Sequence, residues 1–203
     1  MKCRILEKAT EMFITLGFKS VTMDDISKEL GISKKTIYSH YKNKIALVKE
    51  TTNFMFNHIT CGIDEICNRK ENSIVELFEI KNFVMKSLKN EQSSPMYQLQ
   101  KYFPEIHAKL KQKHLAIVTK CVEENVERGI KNGMYRKDLD ANFIARIYFI
   151  GINGIKDEDI FPSESYGQPK LMSSFLNYHI RAICTEKGLK ILEQINNNST
   201  LQE

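Results

Sequence analysis

Apolar residues recur along most of the chain at spacings of three and four, the period of a helix and not of a strand. Ile5, Ala9, Met12, Phe13 and Leu16 make a first stripe over residues 3–16, and Gly17 stops it. Ile26 and Leu30 lie one turn apart in a second segment, closed by Gly31, and Ile37 and Tyr41 share a face in a third. A longer pattern begins at Lys44 and runs through Phe54, Met55, Ile59, Ile63 and Ile66. Past the polar break at residues 68–72, Ser73 is expected to cap a helix over Ile74, Leu77, Phe78, Phe83 and Leu88. Residues 90–94 read as a loop, with Pro95 and Pro104 each opening a helix at the position proline tolerates. Further helices are expected over Pro104–Gly133, Ala141–Ile155 and Pro169–Gly188, then a short one over Leu189–Ile195 and a polar, disordered tail. No segment alternates apolar and polar residues between turn signals, so the chain reads as all-α with about nine helices.

One stretch carries more than periodicity. Thr22 stands three residues before Asp25, close to a capping box. Gly31 suits the left-handed position that ends a helix, and Ser33 is a good N-cap for the next. Two short helices joined by a tight glycine turn are a helix-turn-helix. From Ser33 to Lys49 there are five lysines and no acid. On a helical wheel Ile37 and Tyr41 face inward, while Lys34, Lys35 and Tyr38 face out, a cationic and hydrogen-bonding surface of the kind the DNA major groove accepts.

The stretch from Ile5 to Lys49 resembles the TetR family of bacterial transcriptional regulators. The resemblance rests on Leu16-Gly17-Phe18, Val21-Thr22-Met23, Leu30-Gly31-Ile32-Ser33, Thr36-Ile37-Tyr38, His40-Tyr41, Lys42-Asn43-Lys44 and Leu47, taken in order. It covers about the first quarter of the chain. It implies a three-helix DNA-binding head over residues 1–46. Residues 47–203 would form a larger helical body for ligand binding and dimerisation. The wheel and the resemblance together make Lys34, Lys35 and Tyr38 the expected base contacts. Thr22, Ser33, Thr36, His40 and Lys44 are the expected phosphate contacts; His40 reads equally as a packed residue at the helix end.

For the body, the resemblance implies an enclosed apolar pocket between helices. Candidates are Phe83, Met96, Tyr97, Tyr102, Phe103, His107 and Tyr148, with Ser94–Phe103 the first place to look, although apolar residues at helical spacing are core by default. The last two long helices would form a four-helix interface with a second subunit, through Phe149, Leu171, Phe175, Leu176, Tyr178 and Ile183. The fourth helix would link head to body, and a ligand would change its tilt.

Charge sharpens the division. The chain carries +5 over 203 residues, and residues 1–50 hold ten Lys/Arg against six Asp/Glu. Nearly all the excess therefore sits in the first quarter, as expected of a nucleic-acid-binding head on a neutral body. No apolar run is long enough to cross a membrane, and no signal peptide is apparent, so a cytoplasmic protein is expected. The five cysteines form no CxxC pair and read as reduced thiols, with redox sensing by one of them a lesser alternative. No metal or cofactor motif, phosphate loop or nucleophile elbow is present, and no catalytic residues are assigned.

The expected function is a ligand-responsive repressor that binds a near-palindromic double-stranded operator as a homodimer and is released by a small-molecule effector. Two rivals stay open: a DNA-binding protein of the same fold without an effector, serving chromosome organisation or scaffolding, and an all-α enzyme.

Overall fold

The computed structural model describes residues 1–88, 95–162 and 164–200. Among them, ten helices follow one another: α1 (Lys2–Leu16), α2 (Met23–Glu29), α3 (Lys34–His40), α4 (Lys44–Asn68), α5 (Ser73–Ser87), α6 (Pro95–Tyr102), α7 (Pro104–Lys131), α8 (Ala141–Gly154), α9 (Gln168–Ile183) and α10 (Glu186–Thr200). The chain is all-α. Its one extended pairing among the described residues is an isolated antiparallel bridge between Tyr135 and Cys184.

Two compact units are present, Met1–Cys61 with Lys86–His114, and Gly62–Met85 with Leu115–Glu203. In the first unit, Ile5, Ala9 and Phe13 of α1 meet Ile26, Ile37 and Leu47 in a dry core. Each of these is an apolar position read from the helical period. The unexpected member is Leu99 of α6, which is 0 % exposed in the same core. Phe13 stacks on Phe18 at 5.1 Å, and Phe18 meets Phe103 edge-on at 6.4 Å. Gly17 adopts φ +87°, which a side chain rarely tolerates, and a Cβ there would also lie 2.4 Å from the Gln98 amide. Gly17 is thus both the stop of α1 and a point of close approach for α6.

The second unit is built on a core of Ile74, Leu77, Val122, Val126, Tyr135, Leu176, Ile180 and Leu192. A buried polar network runs through it. Glu76, 1 % exposed, receives Arg128 Nη2 at 2.5 Å on both carboxylate oxygens and Asn125 Nδ2 at 2.7 Å. Asn125 Nδ2 also donates to the Ser73 carbonyl, and the Tyr135 hydroxyl donates to Asn125 Oδ1 at 3.1 Å. One charge pair and its hydrogen bonds thus tie α5 to α7 and to the turn that follows it.

Several expected boundaries move for local reasons. The cap of α5 is Asn72, whose Oδ1 accepts from Ile74 N at 2.9 Å; the Ser73 hydroxyl is buried with no hydrogen-bond partner among the described residues. The helix expected over 169–188 ends at Ile183. Arg136 N donates to the Ile183 carbonyl and Thr185 N to the Met134 carbonyl, pulling Cys184 into an extended conformation. Thr185 then restarts the chain as α10, its hydroxyl accepting from Gly188 N at 3.2 Å. Gly188 does not end a helix. It admits the Met134 carbonyl, which a Cβ would approach to 2.3 Å. The expected polar tail is helical through Thr200; the loop at 90–94 and residues 201–203 lie outside the described residues.

Candidate nucleic-acid interface

The helix-turn-helix forms as its sequence specifies. At Thr22 the capping box closes completely: Asp25 N donates to the Thr22 hydroxyl at 3.1 Å and Thr22 N to Asp25 Oδ2 at 2.9 Å. The Thr22 hydroxyl also donates to that carboxylate, which with the backbone bond holds the Asp25 carboxyl below its usual range. Gly31 takes φ +64°, and Ile32 N turns back to the Ser27 carbonyl at 3.0 Å. Ser33 caps α3 by accepting from Thr36 N at 3.1 Å.

These constraints decide which face of α3 is presented. Ile37 and Tyr41 are buried in the core of the first unit. Burial pushes the Tyr41 phenol up to about 12, and its hydroxyl finds no hydrogen-bond partner among the described residues. The opposite side carries Lys34, Lys35 and Tyr38, all exposed, with Tyr38 at 48 %. An aromatic ring left that open on a two-turn helix has no packing role, and a surface contact is the natural account of it.

Lys34 is not bare. Its ammonium is ion-paired with Asp24 on α2, and that carboxylate raises its pKa. Lys44 Nζ donates to the Lys19 carbonyl at 3.1 Å, and partial burial lowers its pKa. The Thr22 and Ser33 hydroxyls are taken up by caps, and the Thr36 hydroxyl shares a hydrogen bond with Ser33 at 2.8 Å. His40 is exposed at the end of α3, not packed. The five expected phosphate contacts therefore sit along the helix-turn-helix, with Lys44 and the hydroxyls already engaged within the protein.

The expected pocket residues are distributed between the units. Met96 and Phe103 pack against the core of the first unit, Tyr97 and Tyr102 are exposed there, and His107 is half-buried, which lowers its pKa. In the second unit, Tyr148 lines an apolar cavity of about 40 Å³ with Ile63, Leu77, Ile80, Ile117, Val118, Cys121 and Val122. Phe83 lies close to Gly62, where a Cβ would come 2.1 Å from its ring. Among the described residues no three His, Cys, Asp or Glu are placed to hold a metal ion.

Of the expected interface residues, Phe149, Leu176 and Ile183 belong to the chain's own core and Leu171 is buried. Phe175 is half-buried against the same core, near Gly151, whose added Cβ would meet its ring at 2.2 Å. Tyr178 is open at 73 %. The sequence reading passed over an outward stripe on α8, Phe143, Ile147 and Ile150, all exposed. Their spacing of four and three marks one face, opposite Ala145, Tyr148, Phe149 and Ile152. No helix among the described residues is long and apolar enough to cross a membrane, so that stripe is not part of a span.

With this geometry in view, the comparisons with known proteins agree. The family model for bacterial regulatory proteins, tetR family, matches residues 5–51. A negative transcriptional regulator of the biofilm operon icaADBC, IcaR of Staphylococcus epidermidis, is 36 % identical over 58 residues, 29 % of this chain and 31 % of that protein. The chain thus matches about a third of that relative's length. A TetR-family transcriptional regulator from Agrobacterium tumefaciens superposes with a TM-score of 0.72 at 18 % identity, covering 91 % of this chain and 97 % of that one. SmeT, the repressor of the Stenotrophomonas maltophilia multidrug efflux pump SmeDEF, superposes with a TM-score of 0.70 at 15 % identity, covering 92 % and 91 %. These two likenesses establish the fold beyond the head.

Proposed function

We propose that this member of the tetR family of bacterial regulatory proteins is a homodimeric transcriptional repressor that reads a near-palindromic operator and is released by a small molecule. Residues 1–46 bind DNA, and residues 47–203 bind the effector and the second subunit. The observation that carries the reading is the outward face of α3, with Lys34, Lys35 and Tyr38 exposed on a helix capped and turned as a recognition helix must be. Lysine ammonium groups donate to guanine O6 and N7, and the Tyr38 ring can meet a thymine methyl. The relative named for negative regulation of a biofilm operon supports repression over activation.

A second subunit docks on the apolar stripe of α8 and on Tyr178 of α9. A stripe so exposed in a single chain supports a partner surface, and a twofold partner would set two α3 helices on one side of the duplex. The effector enters the second unit by widening the cavity beside Tyr148, which at about 40 Å³ has room for a few waters. A ligand can loosen DNA only by binding two arrangements unequally.

A second reading is a DNA-binding protein of this fold with no effector. A panel of apolar small molecules that never raises the melting temperature would favour it. Tyr38→Ala tests the main reading directly. It is expected to abolish sequence-specific binding while leaving fold and dimer intact, and wild-type affinity in that variant would overturn the assignment.

A further inference from the structure

Two of the five cysteines stand together. Cys67, in the last turn of α4, and Cys121, in the middle of α7, bring their sulfurs to 3.5 Å across 54 residues of sequence. Both thiols are free and half-buried, whereas Cys3 and Cys61 are exposed and Cys184 is buried. The contact lies within the second compact unit. A disulfide needs sulfurs about 2.0 Å apart, so closure asks for a shift of roughly 1.5 Å, within the reach of side-chain rotation. Cys121 also lines the apolar cavity, so there is free space beside this residue.

The surroundings favour Cys67 as the sulfur that reacts first. The two sulfurs share one hydrogen bond in which either can donate; with Cys121 as donor the Cys67 pKa falls, the Arg128 guanidinium assisting and burial and Glu76 opposing. The same arrangement raises the pKa of Cys121, which stays a thiol until it is needed.

We propose that Cys67 and Cys121 are an oxidation site at which a peroxide closes an intrachain disulfide between α4 and α7. The Cys67 thiolate attacks one oxygen of hydrogen peroxide and the O–O bond breaks, giving a sulfenic acid and hydroxide. Cys121 sulfur then attacks the sulfenic sulfur; the S–S bond forms, the S–O bond breaks, and the departing oxygen and the Cys121 proton leave as water. Overall two thiols and one peroxide give one disulfide and two waters. The regulatory consequence rests on the function proposed above. There α4 transmits the state of the body to the head, and the new bond fixes the end of that helix to α7.

The test uses the purified full chain treated with hydrogen peroxide under non-reducing conditions. Alkylation in denaturant followed by mass spectrometry is expected to find three reactive thiols in place of five, a loss of 2 Da, and a peptide pair joining Cys67 to Cys121. Dithiothreitol should restore all five. The bond closes a long loop, so the oxidised protein should melt several degrees higher, and Cys67→Ser should lose that rise. Overoxidised or intermolecular Cys3 and Cys61, with Cys67 and Cys121 still free, would overturn the site. Operator affinity is then compared between reduced and oxidised protein, with a change of about fivefold or more expected only in the wild type. An unchanged affinity with the bond formed would overturn the regulatory role alone. Reduced protein that binds no operator would refute the proposed function, and the peptide map would still decide the site.

Discussion

The amide of Lys19 donates to Oε1 of Gln98 at 2.9 Å, joining residues 79 apart in the chain. With Leu99 fully buried beside it, this bond makes α6 a structural part of the first unit. Met96, Leu99 and Phe103, in the stretch where a pocket is first sought, pack with that core. Leu99→Ala should cost about 2–5 kcal/mol, the range for a buried leucine whose site cannot collapse. Urea unfolding reads it, and a loss under about 1 kcal/mol would mean that α6 rests loosely on the head.

The buried ion pair predicts a second loss. Glu76→Ala leaves the buried Asn125 amide and the 29 % exposed Arg128 without their carboxylate, a loss of about 1–3 kcal/mol, below the full cost for a wholly buried pair. A decrease below about 1 kcal/mol in chemical denaturation would show that water or another acid replaces Glu76.

His179 makes stability depend on pH. It is 5 % exposed against Tyr148 and Phe175, and burial lowers its pKa from 6.5 to about 4. The unfolded chain therefore takes up the proton first as pH falls. The stabilising contribution is whole above pH 6.5 and drains away between 6.5 and 4, by about 3 kcal/mol in all. Subtracting the pH profile of His179→Phe from that of the wild type should isolate this slope. Parallel profiles would place the histidine in water.

On the DNA side, Asp24 is the instructive residue. It neutralises Lys34 and would present a carboxylate near phosphates. Asp24→Asn should tighten binding several-fold at low salt and steepen the salt dependence. Lys44→Ala should do the reverse, weakening all sequences alike. Titrations at three salt concentrations separate the two, and slopes unchanged in both variants would remove Lys34 and Lys44 from the interface.

Assembly has its own test. Ile150→Lys places a charge at the most exposed position of the α8 stripe, its C-terminal end, without touching the core. Sedimentation should show a monomer that retains its helical spectrum. A variant that stays dimeric would move the partner surface elsewhere.

How much of this was legible in advance follows from the range of each interaction. Thr22, Gly31 and Ser33 act within a few residues of themselves, so the turn and both caps could be read directly. The seat of α6 depends on contacts such as Gln98 with Lys19, 79 positions away, which period alone does not encode. Helix α8 is apolar on most sides, so its pattern could not say which face meets the chain's own core. That pattern marks Phe149 as an interface candidate and does not single out Phe143, Ile147 and Ile150, the face left exposed. Gly188 resembled a helix stop, although its role is the close approach of the Met134 carbonyl. The Cys67–Cys121 contact joins two helices at no motif spacing.

The most direct test of the central claim is selection of bound duplexes from a random DNA pool by the purified protein at near-physiological salt. The account predicts enrichment of a near-palindrome whose half-sites are about one helical turn or more apart, and loss of that enrichment in Tyr38→Ala. Weak binding without a motif, fading as salt rises, would mean that the lysines of the head provide only general affinity for DNA and would contradict the account.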